Sequence, residues 1–435
     1  MKTRVAMLGF HLAMFFALTY AYEHFVVPLY GYEGYLFQPA DANGYLALAA
    51  VVFASLITPA DANKPSTLFY QMVQLFVIIP LLILFYAHGE RWEYPAQVLT
   101  AYALSIVLPR YLPVRVPRIA RVSKDNLLHI LFVIAVLYVA SIFAMGGGAY
   151  LNFDLYRVYE FREQAAENLP GFFAYVSPLI GKVVVPVAFV LSLMYRRYAM
   201  AAALLGISAL IFGLTTHKSA FFSPFLILLI YFASSGRNLT LKLNIGVLAV
   251  VLLCLVDFWL QTVSDNPYYG WAGNLLVRRV FFVPAHLNYL YYDFFSHNDW
   301  VLFSNSKLTL GLLTYPYPLD APYLIGRVYF HNDRMAANTG WAGSGYMQAG
   351  FAGLLLYAAI LGIVFKYIDA CARRSGEQAL TTASVAIPMY ALITSGDLPT
   401  SFLTHGLYLN LLLIACFHGK ESFNAYRSPE QRSLA

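Results

Sequence analysis

The sequence predicts an all-α polytopic membrane protein of about twelve spanning helices, and three observations carry that expectation. Hydrophobic residues make up 60% of the 435 and charged residues only 11%, with a mean hydropathy of +0.61. The apolar residues fall in runs near the ~20 residues that cross a ~30 Å hydrocarbon layer as a helix. Those runs lack alternation between apolar and polar positions, and only helices or closed barrels satisfy the backbone in lipid, so the spans read as helices.

In chain order, spans are expected at roughly 5–28, 44–60, 67–87, 96–110, 127–145, 171–195, 198–214, 219–235, 243–263, 344–366, 378–394 and 401–418. The first run, Val5–Val27, opens on Lys2 and Arg4 and is too long for a typical signal-peptide core, so it reads as a retained signal anchor. The span at 96–110 is short and stops at Pro109-Arg110. Alternate connections carry Lys2/Arg4, Lys64, Arg110–Lys124, Arg196/Arg197, Arg237/Lys242, Lys366/Arg373/Arg374 and Lys420/Arg427/Arg432. These hold 18 of the 28 basic residues but only 6 of the 22 acidic ones. The positive-inside bias puts them, and both ends of the chain, in the cytoplasm. That topology accounts for a pI near 9.0 better than nucleic-acid binding does. Cys254 falls mid-span, while Cys371 and Cys416 fall near the basic side, so neither a disulfide nor a thiolate-metal site is indicated. No internal repeat or low-complexity linker divides the chain, and residues 1–435 read as one membrane domain.

The opposite face carries two polar segments, a first at 146–170 and a larger one at 264–343. Ten basic residues oppose the topological bias there: Arg91, Arg157, Arg162, Lys182, Lys218, Arg278, Arg279, Lys307, Arg327 and Arg334. Pairing with the acidic residues of the same side is one explanation. The other is an anionic ligand.

Four stretches bear on that choice. In Asn152–Glu163, Asp154/Arg157 and Arg157/Glu160 sit three residues apart, as in a salt-bridged interfacial helix, and Tyr150, Tyr156 and Tyr159 suit an interface belt. The alternative is that Arg157 or Arg162 forks onto phosphate oxygens. The turn Thr215–Ser219 holds His217 and Lys218 between apolar runs, where ionisable groups are functional candidates unless they snorkel to headgroups. In Arg278–Asp293, the seven-residue spacing of Arg279, His286 and Asp293 places them on one face of a helix, provided Pro284 only kinks it. The stretch Ile325–Arg334 leads through Asn338-Thr339-Gly340 into the next span, whose N-terminal N–H groups would offer an anion site if they faced a cavity. Asp397 and His405 flank the last external turn and read as a capping carboxylate and a packed histidine. No HExxH, DxD, GxSxG or Walker pattern occurs, so no metal or nucleotide cofactor is expected.

Five stretches, DLYRVYEFRE (154–163), THKS (216–219), RRVFFVPA (278–285) with YYDFFS (291–296), IGRVYF (325–330) and NTGWAGSGYMQAGFAG (338–353), follow one another in a characteristic order. In this the chain resembles bacterial oligosaccharide repeat-unit polymerases, the Wzy-type O-antigen and capsule polymerases, over roughly 150–410. The resemblance implies a GT-C-like, metal-independent inner-membrane glycosyltransferase acting at the periplasmic face on undecaprenyl-diphosphate-linked oligosaccharides. The growing glycan would leave its lipid diphosphate and join a fresh lipid-linked unit. On that reading Arg157, Arg162, Arg278, Arg279 and Arg327 bind diphosphate, assisted by Lys218. His217, His286 and Glu160 are candidate bases, His217 first, and Tyr289, Tyr292, Tyr329 and Trp341 are candidate sugar platforms. Membrane lipids and a polysaccharide chain-length regulator are the further partners it implies. An O-antigen ligase shares the expected fold and donor, and a flippase of lipid-linked sugars is the reading from another class. A flippase would call for discontinuous helices and repeat symmetry.

Overall fold

The computed structural model describes residues 2–61, 64–117, 122–152, 170–215, 218–235, 238–264, 266, 268–306 and 309–417. Among the described residues the regular structure is entirely helical. Seven helices are long and apolar enough to cross a membrane: Arg4–Glu33, Pro65–Ala87, Lys124–Ala144, Tyr175–Met194, Tyr198–Thr215, Leu239–Val263 and Trp341–Ser375. Four more are apolar but shorter, at Asp41–Ile57, Ala220–Ser234, Gln378–Thr394 and Leu407–Cys416. The last expected span is broken in two: Leu398–Leu403 and Leu407–Cys416 meet at a bend.

Pro65–Ala87 is the central helix. In its most apolar window 94% of residues are buried, against 22% for Leu239–Val263 at the periphery. The peripheral helix turns Leu253, Val256 and Trp259 outward, a face suited to acyl chains. Polar side chains join the inner helices. His11 bonds Ser55 Oγ and Gln71 Oε1, each at 2.9 Å, and Asn244 Nδ2 donates to the same Gln71 oxygen at 3.3 Å. Four helices distant in sequence are thus tied without exposing a polar group to lipid.

Proline shapes the interior in a repeated way. The helices widen to i→i+5 bonding at Tyr22–Val26, Gln74–Ile78, Ile180–Val184 and Asn274–Phe282. Each widened segment ends two residues before a proline: Pro28, Pro80, Pro186 and Pro284. Proline lacks an N–H and its ring crowds the carbonyl four residues back. Widening the preceding turn moves that carbonyl aside and pairs it with a different donor. Pro224 and Pro388 lie in unwidened helix, so proline permits this solution without dictating it.

Trp341–Ser375 is broken at Ala349 and Gly350, which leave helical geometry. The carbonyls freed at Met347 and Gln348 accept from the N–H groups of Val301 and Leu302 at 3.0 and 2.9 Å, and Gln348 Oε1 accepts from Phe303 N at 2.6 Å. The polar segment itself therefore seals the break. Gly340, before the first turn of this helix, packs against the Ile393 carbonyl, and every residue from Trp341 to Gln348 is buried. The expectation of an anion site at this helix N-terminus is corrected: it is closed by the Gln378–Thr394 helix.

The connections gather at two ends. At the basic end, Lys366 Nζ donates to the Pro109 and Leu112 carbonyls at 2.5 and 2.6 Å, which caps the C-terminus of Glu93–Tyr111. Arg374 donates to Pro117 O at 2.8 Å, Lys124 pairs with Glu377, and buried Asp369 accepts from Ser66 N and Oγ at 2.9 and 2.7 Å. The opposite end holds the short turns after Glu33 and Ala87 and the described part of the long polar segment.

Candidate functional site

Three elements build the site at the end opposite the basic loops. The first is the turn 31–38, where a short 3-10 stretch closes on Gly34 in the left-handed region at φ +96°. The second is the turn after Ala87, where His88 ends the central helix and Gly89, at φ +75°, reverses the chain so that Glu90 returns toward His88. Gln38 N donates to Ala87 O at 2.7 Å and locks the two turns together. The third is the helical stretch from Asn274 to His297, whose start is capped by Asp257, accepting from Gly273 N at 2.8 Å.

Arg278 is buried on this third element. Its guanidinium pairs with Glu33, its Nε donates to Asn274 Oδ1 at 2.6 Å, and its Cζ lies 4.4 Å from the Tyr30 ring centroid. Eight residues on, His286 is buried too. Its ring centroid lies 5.2 Å from that of Tyr35, 5.7 Å from His88 and 6.4 Å from Phe330. Burial, and then the neighbouring His88, push the His286 pKa down to about 4, so its imidazole is neutral near pH 7. Its Nδ1 is buried without a hydrogen-bond partner, as is that of His88. Glu90 Oε1 lies 2.9 Å from His88 Nδ1 but off its hydrogen-bonding direction.

Beside this cluster is a cavity of about 220 Å³ lined by Glu90, Arg91, Tyr289, Leu290, Tyr292 and Asp293. Tyr292 stacks on Tyr94 at 4.8 Å and meets Tyr346 at 4.9 Å, while Tyr94 donates to Asn288 Oδ1 at 3.0 Å. Tyr329 donates to Asp293 Oδ2 at 2.6 Å. The cavity therefore combines the ring of Tyr292, two carboxylates and one guanidinium, a mixture suited to the ring face and hydroxyl groups of a sugar.

No protein-family model matches this chain, and neither a curated protein nor a solved structure does.

The expected site residues divide into three groups. His286, Arg278, Tyr289, Tyr292 and Tyr329 lie in or against the cluster and its cavity. Arg279 and Arg327 are exposed on the same polar segment and have no side-chain partner among the described residues. Arg157, Glu160, Arg162 and His217 lie outside the described residues, as does the side chain of Lys218. The shared face of Arg279, His286 and Asp293 is corrected. The widened turns of Asn274–Phe282 change the phase of the helix, so Arg278, not Arg279, shares the buried face with His286. Tyr289 and Trp341 are 2% and 1% exposed and offer no open ring face, and the Tyr289 hydroxyl donates to Leu81 O at 2.9 Å. Asp397 caps Leu398–Leu403 at Leu398 N, as the sequence suggests, and accepts from Tyr357 at 2.7 Å.

The sequence reading did not select Glu33, Tyr35, His88 or Glu90, and it noted Arg91 only as a charge against the topological bias. Their signal is local. Glu33-Gly34-Tyr35 and His88-Gly89-Glu90 each place ionisable or polar side chains around a reversing glycine, at the end of an apolar run on the face of the polar segments.

Proposed function

We propose that this protein is an inner-membrane glycosyltransferase that polymerises polyprenyl-diphosphate-linked oligosaccharide units at the non-cytoplasmic face. It would do so with about twelve spans in a GT-C-like arrangement and both ends cytoplasmic. The observation that carries this reading is the sorting of polar chemistry between the ends. Basic residues that follow the topological bias, Lys366, Arg374, Lys124 and Arg197, bond backbone carbonyls or carboxylates, whereas Arg91, Glu90 and Asp293 line an aromatic cavity beside His88 and His286 on the other face, with Arg278, Arg279 and Arg327 on the same polar segment. The ordered sequence motifs supply the substrate class.

In the reaction, an acceptor hydroxyl oxygen forms a bond to the anomeric carbon of the donor glycan while that carbon's bond to the lipid diphosphate breaks. The hydroxyl proton passes to a base, and the diphosphate leaves with the bonding electron pair. Glu90 and Asp293 line the cavity and are the described carboxylates placed to take the proton. His286, held neutral by burial, is a weaker base than a histidine of ordinary pKa and is a poorer candidate than either carboxylate. Guanidinium groups stabilise charge developing on the leaving diphosphate. Tyr292, with Tyr94 stacked behind it, presents a platform for an apolar sugar face.

The broken helix Trp341–Ser375 is the one observation that favours a transporter of lipid-linked sugars instead. Its freed carbonyls are already bonded to the 301–303 backbone, which argues against an ion-coupling role. The deciding experiment complements a strain lacking the gene with Arg91→Lys, Arg278→Lys, Arg279→Lys, Arg327→Lys, Glu90→Gln and Asp293→Asn. Glycans reduced to single units support the polymerase. Full-length ladders from every variant sink it, and loss of all surface glycan together with cytoplasmic accumulation of the lipid-linked unit identifies transport.

A further inference from the structure

The structure assigns a divalent-cation site to His88, Glu90 and His286. One ligand atom from each lies within 4.8 Å of the other two, although His286 is almost 200 residues from the pair in sequence. The spacing is close to a real coordination shell. Ligand bonds of ~2.0–2.1 Å to a tetrahedral ion set donor atoms roughly 3.3 Å apart. Glu90 Oε1 and His88 Nδ1 are already 2.9 Å apart, and a side-chain movement on the order of 1–2 Å closes the third edge.

A second observation points to a ligand independently. The Nδ1 atoms of both histidines are buried and unpartnered, while polar atoms around them are paired: Arg278 with Glu33 and Asn274, Tyr94 with Asn288, Tyr22 with Leu36 O at 2.8 Å. Two orphaned imidazole nitrogens beside a carboxylate are what a site looks like before its ion is added. The scaffold is also suitable. His286 rides on a regular helix, and the left-handed turn at Gly89 points His88 and Glu90 the same way.

The donor set selects the ion. Two imidazoles and one carboxylate suit Zn²⁺ or a similar borderline cation, whereas Ca²⁺ and Mg²⁺ call for a shell of oxygens that these three residues do not supply. Glu90 also lines the cavity, so an ion there has its open coordination position beside the cavity wall. If the proposed glycosyl transfer is right, that position lies where a diphosphate or acceptor oxygen would sit, and the hydroxyl proton then falls to Asp293 rather than to the metal-bound Glu90, an extension that rests on that reading.

The test uses the full chain in detergent, stripped with chelator and titrated with Zn²⁺ and Co²⁺ without any sugar substrate. About one equivalent per chain, a raised Tm and the visible absorption of four-coordinate Co²⁺ are expected. His88→Asn and Glu90→Gln, at half-buried positions, should each weaken binding by more than ~100-fold. His331→Asn, at an exposed histidine outside the cluster, should leave it unchanged. Absence of stoichiometric binding by the wild-type chain, or equal affinity in the two ligand variants, overturns the site. Because no substrate enters the assay, failure of the functional proposal does not alter its outcome. Polymer formation that persists after the metal is removed overturns only the catalytic extension.

Discussion

The two ends of the helical bundle use the same residue types to different effect. At the basic end, Lys366 and Arg374 bond backbone carbonyls, Lys124 bonds Glu377, and Asp369 holds the first turn of the central helix through Ser66. Each of these charges completes a helix terminus or joins two segments of the chain. At the other end, the Nδ1 atoms of His88 and His286 lack hydrogen bonds, Arg279 and Arg327 are exposed without a counter-ion among the described residues, and a cavity lined by Glu90 opens beside the two imidazoles. The difference lies in the charged and imidazole groups, which are bonded at the basic end and partly unbonded at the other.

Four perturbations sharpen or break this contrast. The largest effect should come from Glu33→Ala, which leaves Arg278 buried without its counter-ion and should cost about 3–5 kcal/mol. Thermal unfolding in detergent measures it, and joint replacement of Glu33 and Arg278 by apolar residues should recover much of the loss. Wild-type stability in the single variant would show that the pair is not closed in solution.

Next is Asp369→Asn at the basic end. It weakens two hydrogen bonds to a buried carboxylate and should cost about 1.5–3 kcal/mol while leaving the glycan-length profile intact. A changed profile at normal protein level would erase the functional distinction between the ends.

The third concerns pH. Burial lowers His286 to about 4, against an ordinary value of 6.5. Between those limits the unfolded chain binds more protons than the folded one. Its contribution is therefore complete above about pH 6.5 and declines as pH falls toward 4. Metal-free protein should melt at lower temperature at pH 5 than at pH 7.5, and His286→Asn should reduce that difference. A flat profile would mean that the ring is hydrated.

The smallest effect is expected for Arg197→Ala. It removes an exposed pair with Asp125 at 2.7 Å and should change stability by ~0.2–1 kcal/mol, with no change in product.

Much of the architecture was legible because membrane spans are written in composition over ~20 residues. Helix type and approximate limits followed from that alone. The break at Ala349 and Gly350 was not legible, since the run stays apolar through it and the compensating N–H groups come from Val301 and Leu302. The site was half legible. Arg278, His286 and Tyr292 stood out because charged and aromatic residues interrupt an otherwise apolar chain. Glu33, His88 and Glu90 did not, because their meaning depends on two turns that approach His286 only after folding. The expected common face of Arg279, His286 and Asp293 failed for a definite reason: a seven-residue spacing assumes uninterrupted α-helical phase, and Asn274–Phe282 does not keep it.

The four widened segments have a consequence for how this chain tolerates change. A wide turn is where a helix stores a surplus residue, so a one-residue deletion in Gln74–Ile78 or Ile180–Val184 can be absorbed by reverting to ordinary winding. In Asn274–Phe282 the place of the edit matters: a deletion after Arg278 returns the stretch to ordinary winding with Arg278 seven residues before His286, still facing Glu33. An edit before the doublet that tightened the same turns would instead leave Arg279 seven residues from His286 and exchange the two cations.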